Sequence, residues 1–549
     1  MHKKRVIIHG VCILFLALFL GYYFFGIRNY LAYPWYDRSN GSEADGMYTA
    51  QTICMLNGGR YRWTQHPGAT LSAINGSVYR VLGLFSKPHG KFFHLDDVAS
   101  MDEVFAMLDT GARTGRVVAL CLSFLFSVLL YALIYHWTED SFFSVLSTFY
   151  VIATPAVLQH SIQIRPDFLG EIILFFAIFL CFLKFGNGSK LINTAPNRFF
   201  VGIGILLGFS IFSKAQITPA IAMFAATLCF YLSGLGEKSP EVARSQAIKS
   251  CYRIAWVNII LMPWWALAKP SFLTPEYIRS YGISYGPAPP SFIPLVGALL
   301  LGLLGVSWLF AFFDKHHRFE KFLSRSWLVL PAVYFMVFGM ILSSYLVLLP
   351  VSGSIPCYIK NTQHVIYTVV TTVRYGVSMM ENPGISYLEA LGKIFKIHTA
   401  QSSFLTVNLR YIVAFTAAAC LIRICQKSSH NRKQYILCLV FFATGHIMDL
   451  FSSMRAKDFY VQYAVYSVCF FGAGLALWLS LEFKKKKLVI IMLLALHAIL
   501  AGYAFSKEPR GNGISSNDPK VMYHDARHNT TPFFSDFVEN SIARHQIAK

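Results

Sequence analysis

Glu43 and Asp45 stand two residues apart in the polar stretch SNGSEADGMYTA, residues 39–50, of a chain that is only 14% charged. Asp37 lies just upstream, and His66-Pro67-Gly68 follows downstream of Arg60-Tyr-Arg-Trp63. In a second group, Arg165-Pro-Asp167, Glu171 comes four residues after the aspartate, which on a helix sets both acids on one face. Cations stand at Lys214 in FSKAQ and at Arg455 and Lys457 in SSMRAKDFY, while Tyr277, Tyr281 and Tyr285 recur in a Pro/Gly-rich segment. Carboxylates can take a proton from an attacking hydroxyl, cations can hold an anion, and aromatic rings offer flat faces on which a sugar can stack. Plainer readings stand beside these. Ser42 or Asp45 could cap a helix over MYTAQTICML. Arg165 could pair with Asp167, and any single cation, Arg113 and Arg116 included, could reach a lipid headgroup. The tyrosines could form an interfacial belt. His446 and Asp449 read as packing or local hydrogen bonding. Glu171 fits a packing role less well, because an acid inside an apolar span is costly and usually faces a cavity.

The elements that would position these residues are apolar. The chain of 549 residues is 55% hydrophobic, and its mean hydropathy is +0.49. The apolar residues come in runs long enough to cross a bilayer as helices. Thirteen spans are expected, at 6–27, 115–136, 142–159, 168–184, 199–213, 216–234, 254–268, 291–313, 327–349, 405–424, 435–452, 459–481 and 488–505. The first run, VIIHGVCILFLALFLGYYFFGI, is too long for a signal-peptide core and lacks a small-residue cleavage site, so it reads as a retained span. The net charge of +21 does not indicate nucleic acid. The basic residues sort into alternate loops, from His2-Lys-Lys-Arg5 onward, as the positive-inside rule requires. That pattern puts the N-terminal end in the cytoplasm and the tail outside. A long outer loop, 28–114, then carries the acidic motif, with interfacial helices expected over 71–110. A second long outer loop spans 350–404, and a polar tail 506–549 follows a span domain of 1–505. The eleven cysteines show no CxxC spacing, and only Cys54 and Cys357 fall in outer loops. No internal repeat is visible. Asn40, Asn75 and Asn529 fit the glycosylation pattern, which reads as incidental.

An acidic motif after the first span, a tyrosine (Tyr48) three residues on, a Gly-containing turn, His66-Pro67 and then an interfacial helical region together resemble the GT-C class of membrane glycosyltransferases. In style the chain is similar to the protein O-mannosyltransferases and to the transferases that add aminoarabinose or galacturonic acid to lipid A. Glu43-Ala44-Asp45 matches the family's acidic pair with a departure: the two acids are not contiguous, and Gly46 follows the second.

The resemblance implies an all-α polytopic bundle of about 13 helices in a bacterial cytoplasmic membrane. It implies transfer of a sugar, with inversion, from a polyprenyl-phosphate donor to a hydroxyl of a lipid, lipopolysaccharide, glycan or protein acceptor on the extracytoplasmic face. Asp45 would be the general base, with Glu43 orienting it, binding the acceptor or helping to hold a divalent cation such as Mg²⁺ or Mn²⁺. Asp37 would be the fallback base. His66, Arg165, Asp167, Lys214, Arg455, Lys457, Tyr281 and Tyr285 would line the donor site. A lipid-linked sugar flippase and an O-antigen polymerase or ligase are the rival expectations.

Overall fold

The computed structural model of the protein describes residues 2–27, 29–32, 43–57, 68–85, 93–95, 98–185, 196–236, 328–352, 358, 362, 365, 404–426, 431–453, 465–482 and 532–547. Regular structure among them is entirely helical: α1 (His2–Gly21), α2 (Glu43–Leu56), α3 (Ala69–Phe85), α4 (Met101–Thr138), α5 (Ser141–Ile152), α6 (Pro155–Ile162), α7 (Pro166–Phe185), α8 (Pro196–Ser213), α9 (Thr218–Gly236), α10 (Val329–Ser352), α11 (Phe404–Cys425), α12 (Arg432–Ser453), α13 (Val465–Glu482) and α14 (Pro532–Ile547). Six segments of the described residues are long and apolar enough to cross a membrane: Arg5–Ile27, Met101–Thr138, Pro166–Phe185, Ala215–Leu232, Pro331–Pro350 and Val465–Glu482. These helices are those of a transmembrane, multi-pass protein by length and composition.

Most of the expected spans fall on helices. The runs 6–27, 115–136, 168–184, 216–234, 327–349 and 459–481 coincide with the six segments. The run 142–159 is instead a broken pair, α5 and α6, bent by 76°. Pro155 explains the break, since a proline lacks the N–H and disfavours helical backbone in the residue before it, and Thr154 is accordingly extended at ψ 144°. The run 199–213 falls on a shorter apolar helix, Asn197–Ser213, and the run 405–424 overlaps another, Val413–Cys425. Helix α12, over 435–452, carries His446 and Asp449 and is not among the six. The runs 254–268, 291–313 and 488–505 lie outside the described residues.

The chain divides into two compact units. The first holds Met1–Trp63, Thr70–Ile172 and Thr372–Lys549, and its long α4 touches α1, α2, α5, α6 and α13. Ser100 starts α4 by accepting the Glu103 N–H, which meets one orphan donor of the first turn, and the Glu103 carboxylate accepts the Ala99 N–H just ahead of the cap. The helix then runs unbroken to Thr138, so the expected boundary between an interfacial helix and a span near residue 115 does not exist. Cys54 is buried and joins Ala50, Ile53, Tyr79, Val104, Met107, Leu108 and Val538 in one apolar core. Val538 belongs to α14, so the polar tail contributes a helix packed against α2, α3 and α4. The second unit holds Thr64–Ala69 and Ile173–Thr371, where α8 crosses α10 closely.

Candidate functional site

Helix α2 begins at Glu43, which leaves Asp45 inside the first turn rather than at the cap. A carboxylate there gains from the positive end of the helix dipole. The Asp45 side chain is fully buried, and both of its oxygens are engaged. Oδ2 accepts from Nε of Arg116 at 2.8 Å, and Oδ1 accepts from the Ile164 backbone N–H at 2.7 Å. Arg116 is itself 0% exposed and sits fifteen residues into α4, so it does not snorkel to a headgroup. Removing two charges from water costs several kcal/mol per ion, on the order of what close pairing returns. The pair therefore reads as a fixed join between α2, α4 and the 163–165 linker rather than a source of net stability. Burial pushes the Asp45 carboxyl above its usual range, against the pull of Arg116, the Ile164 amide and the more distant Arg165. Beside it, Tyr79 donates to the Gly111 carbonyl at 2.7 Å, and burial raises its phenol.

The linker brings the second motif to the same place. Arg165, partly exposed, donates from Nε to Oε1 of Gln163 at 2.8 Å rather than to Asp167. Asp167, in the first turn of α7, instead accepts from the Tyr466 hydroxyl of α13 at 2.6 Å. Glu171, one turn further along α7, is 0% exposed and lies beside the Cys469 thiol. Tyr48 of α2 is within electrostatic reach of Tyr466. Asp45 and Asp167, from two separate motifs of the sequence, thus belong to one buried polar cluster with Arg116 and Tyr466.

Other candidates fall elsewhere. Lys214 occupies the turn between α8 and the 3-10 turn Ala215–Ile217, as the sequence suggested, but is only 3% exposed and belongs to the second unit. Asn75 is buried within α3, so its glycosylation pattern is inaccessible. His446 packs its ring against Phe471. Asp37, His66, Tyr277, Tyr281, Tyr285, Arg455, Lys457, Cys357 and the Glu43 side chain lie outside the described residues. Among the described residues, no three His, Cys, Asp or Glu side chains come together to hold a metal ion. Asp45, facing a guanidinium, is a poor ligand for one. Arg116 read in the sequence only as a cation able to reach a headgroup and Cys469 as a small packed residue, while Tyr466 carried no signal at all. For Arg116 a signal was present: the Ser100-Met-Asp-Glu103 box starts the helix early enough to carry the arginine into its interior.

The described residues thus define an all-helical protein with several membrane-length helices and a buried acid–arginine–tyrosine cluster built from α2, α4, α7 and α13. No family model matches the chain, and no curated protein matches it.

Proposed function

We propose that the protein is an integral-membrane glycosyltransferase that moves a sugar from a polyprenyl-phosphate donor to a hydroxyl of a lipid, lipopolysaccharide or glycan acceptor at the extracytoplasmic face. The observation that carries this reading is the hydrogen bond from the Ile164 amide to Asp45. It joins the acidic motif to Arg165-Pro-Asp167, the two stretches whose residue types suit proton removal and anion binding. Asp45 takes the acceptor proton as that oxygen attacks the anomeric carbon, the bond from that carbon to the phosphate breaks, and nearby cationic side chains hold the departing phosphate. Each Asp45 oxygen accepts one hydrogen bond, and a carboxylate has about four lone-pair sites, so acceptor capacity is left over. Burial that raises the carboxyl's pKa also makes it a stronger base once ionised.

Complete burial and double engagement of Asp45 favour a second assignment within the same function. In that assignment Asp45 positions α2, and Glu43, at the head of the helix, takes the proton. The test is transfer by the full chain, reconstituted with a radiolabelled polyprenyl-phosphate sugar and a membrane extract as acceptor. Asp45→Asn combined with Arg116→Gln keeps a hydrogen-bonded pair without charges, and it is expected to fold and to transfer nothing. Full activity in that double variant together with an inactive Glu43→Gln protein would move the base to Glu43. Intact labelled lipid crossing the bilayer without transfer would show a transporter instead.

A further inference from the structure

We infer that Glu171 is the hydrogen-bond acceptor of a buried carbohydrate subsite between α7 and α13, which receives hydroxyl groups of the sugar. Both Glu171 oxygens are fully buried, and neither meets a nitrogen or oxygen donor among the described residues. The neighbouring Cys469 thiol is too weak a donor to replace one. The rest of the helix is apolar from Ile172 to Leu183. A leucine or methionine at position 171 would pack there without penalty, whereas a buried carboxyl without donors is costly to maintain. The groups around it are buried and several are polar. Asp167 stands one turn before Glu171 on the same face of α7, tied to the Tyr466 hydroxyl, and Tyr48 lies close to that tyrosine. Acids and phenols in one buried group offer acceptors and flat rings together, the combination a polyhydroxylated ring requires. That the ligand is a sugar rests on the proposed transferase reading; that the carboxyl calls for a donor does not.

The experiment compares the full chain with its Glu171→Met and Glu171→Gln variants in lipid nanodiscs, measuring thermal unfolding and the affinity for two probes. The probes are bare undecaprenyl phosphate and the same lipid carrying a neutral hexose. Without lipid, the Met variant is expected to melt above wild type, because an unsatisfied polar group has been removed. Its affinity for the hexose lipid is expected to fall by roughly tenfold or more, with affinity for the bare lipid unchanged. Gln, which retains an acceptor oxygen, should bind the hexose lipid better than Met does. A Met variant that melts below wild type, or that binds the hexose lipid as well as wild type does, overturns the subsite and leaves the transferase reading standing. A Gln variant no better than Met overturns it likewise. If wild type binds the two lipids equally the subsite falls, and if it binds neither the transferase reading falls with it.

Discussion

At the scale of single residues, Asp45 and Arg116 answer differently from every other charged pair described. Both are wholly buried, so removing one charge strands the other in a low-dielectric interior. Asp45→Ala or Arg116→Ala alone is expected to cost about 3–5 kcal/mol of unfolding free energy, whereas replacing both by apolar residues of similar volume should cost far less. Denaturant unfolding of the purified protein as a double-mutant cycle reads this directly, and additive single and double variants would contradict it. Arg113 supplies the contrast within the same helix. It pairs with Asp109 four residues away, but its side chain is 47% exposed, so Arg113→Ala should cost no more than about 0.5 kcal/mol. The sequence pointed to Asp45 because an acid in a sparsely charged chain is conspicuous. It showed Arg116 only as a cation able to reach a headgroup, because an arginine at the edge of an apolar run looks like one at a helix end. Only the continuation of α4 upstream to Met101 makes it an interior residue. Tyr466 was hidden for another reason: its partner, Asp167, is 299 residues away in the chain, and no local pattern links them.

At the scale of elements, apolar runs identified the helices well because nothing but a helix can satisfy its own backbone inside a membrane. Their ends were less legible, since α4 extends past its apolar part and α5 stops where Pro155 forbids continuation. The closeness of α8 and α10 was not read at all, although its residues are small. A Cβ built on Gly204 would collide with the Met336 carbonyl, one on Gly208 with the Ser343 hydroxyl, and one on Gly339 with the Val201 carbonyl. Small residues four apart on each helix, Gly204 and Gly208 on one and Gly339 and Ser343 on the other, let the two backbones approach. Gly204→Ala and Gly339→Ala are therefore expected to destabilise the second unit by about 1–3 kcal/mol through overpacking. Gly202 lies on the same helix with nothing within 4 Å of its added Cβ. Gly202→Ala should be neutral or stabilising by up to about 1 kcal/mol. Thermal melts of the three variants in one detergent check the ranking, and equal losses at positions 202 and 204 would refute a specific crossing.

At the scale of the whole molecule, the helix near the end of the chain says something about topology that charge counting could only suggest. In the first unit, α1 starts beside the far end of α4: His9 is hydrogen-bonded to Tyr131 at 2.6 Å and packs edge-on against Tyr135. Helix α14 instead sits at the near end of α4, where Ser541 donates to the Val98 carbonyl at 2.9 Å and Val538 joins Val104, Met107 and Leu108. Between those contacts α4 rises about 1.5 Å per residue, roughly 40 Å in all, which exceeds a hydrocarbon core of about 30 Å. Residues 2–9 and 532–547 therefore face opposite sides of any membrane that α4 crosses, which requires an odd number of crossings between them. By the positive-inside rule, the basic His2-Lys-Lys-Arg5 start predicts the cytoplasm for the first and the outer face for the second. Peptide tags fused ahead of Met1 and after Lys549 provide the measurement, with antibody binding to sealed, right-side-out vesicles as the readout. The tag after Lys549 should bind without permeabilisation and the tag ahead of Met1 only after it. If both respond alike, α4 does not cross the bilayer along the length its sequence marks out, and the acidic motif at the near end of that helix would lose its outer-face address.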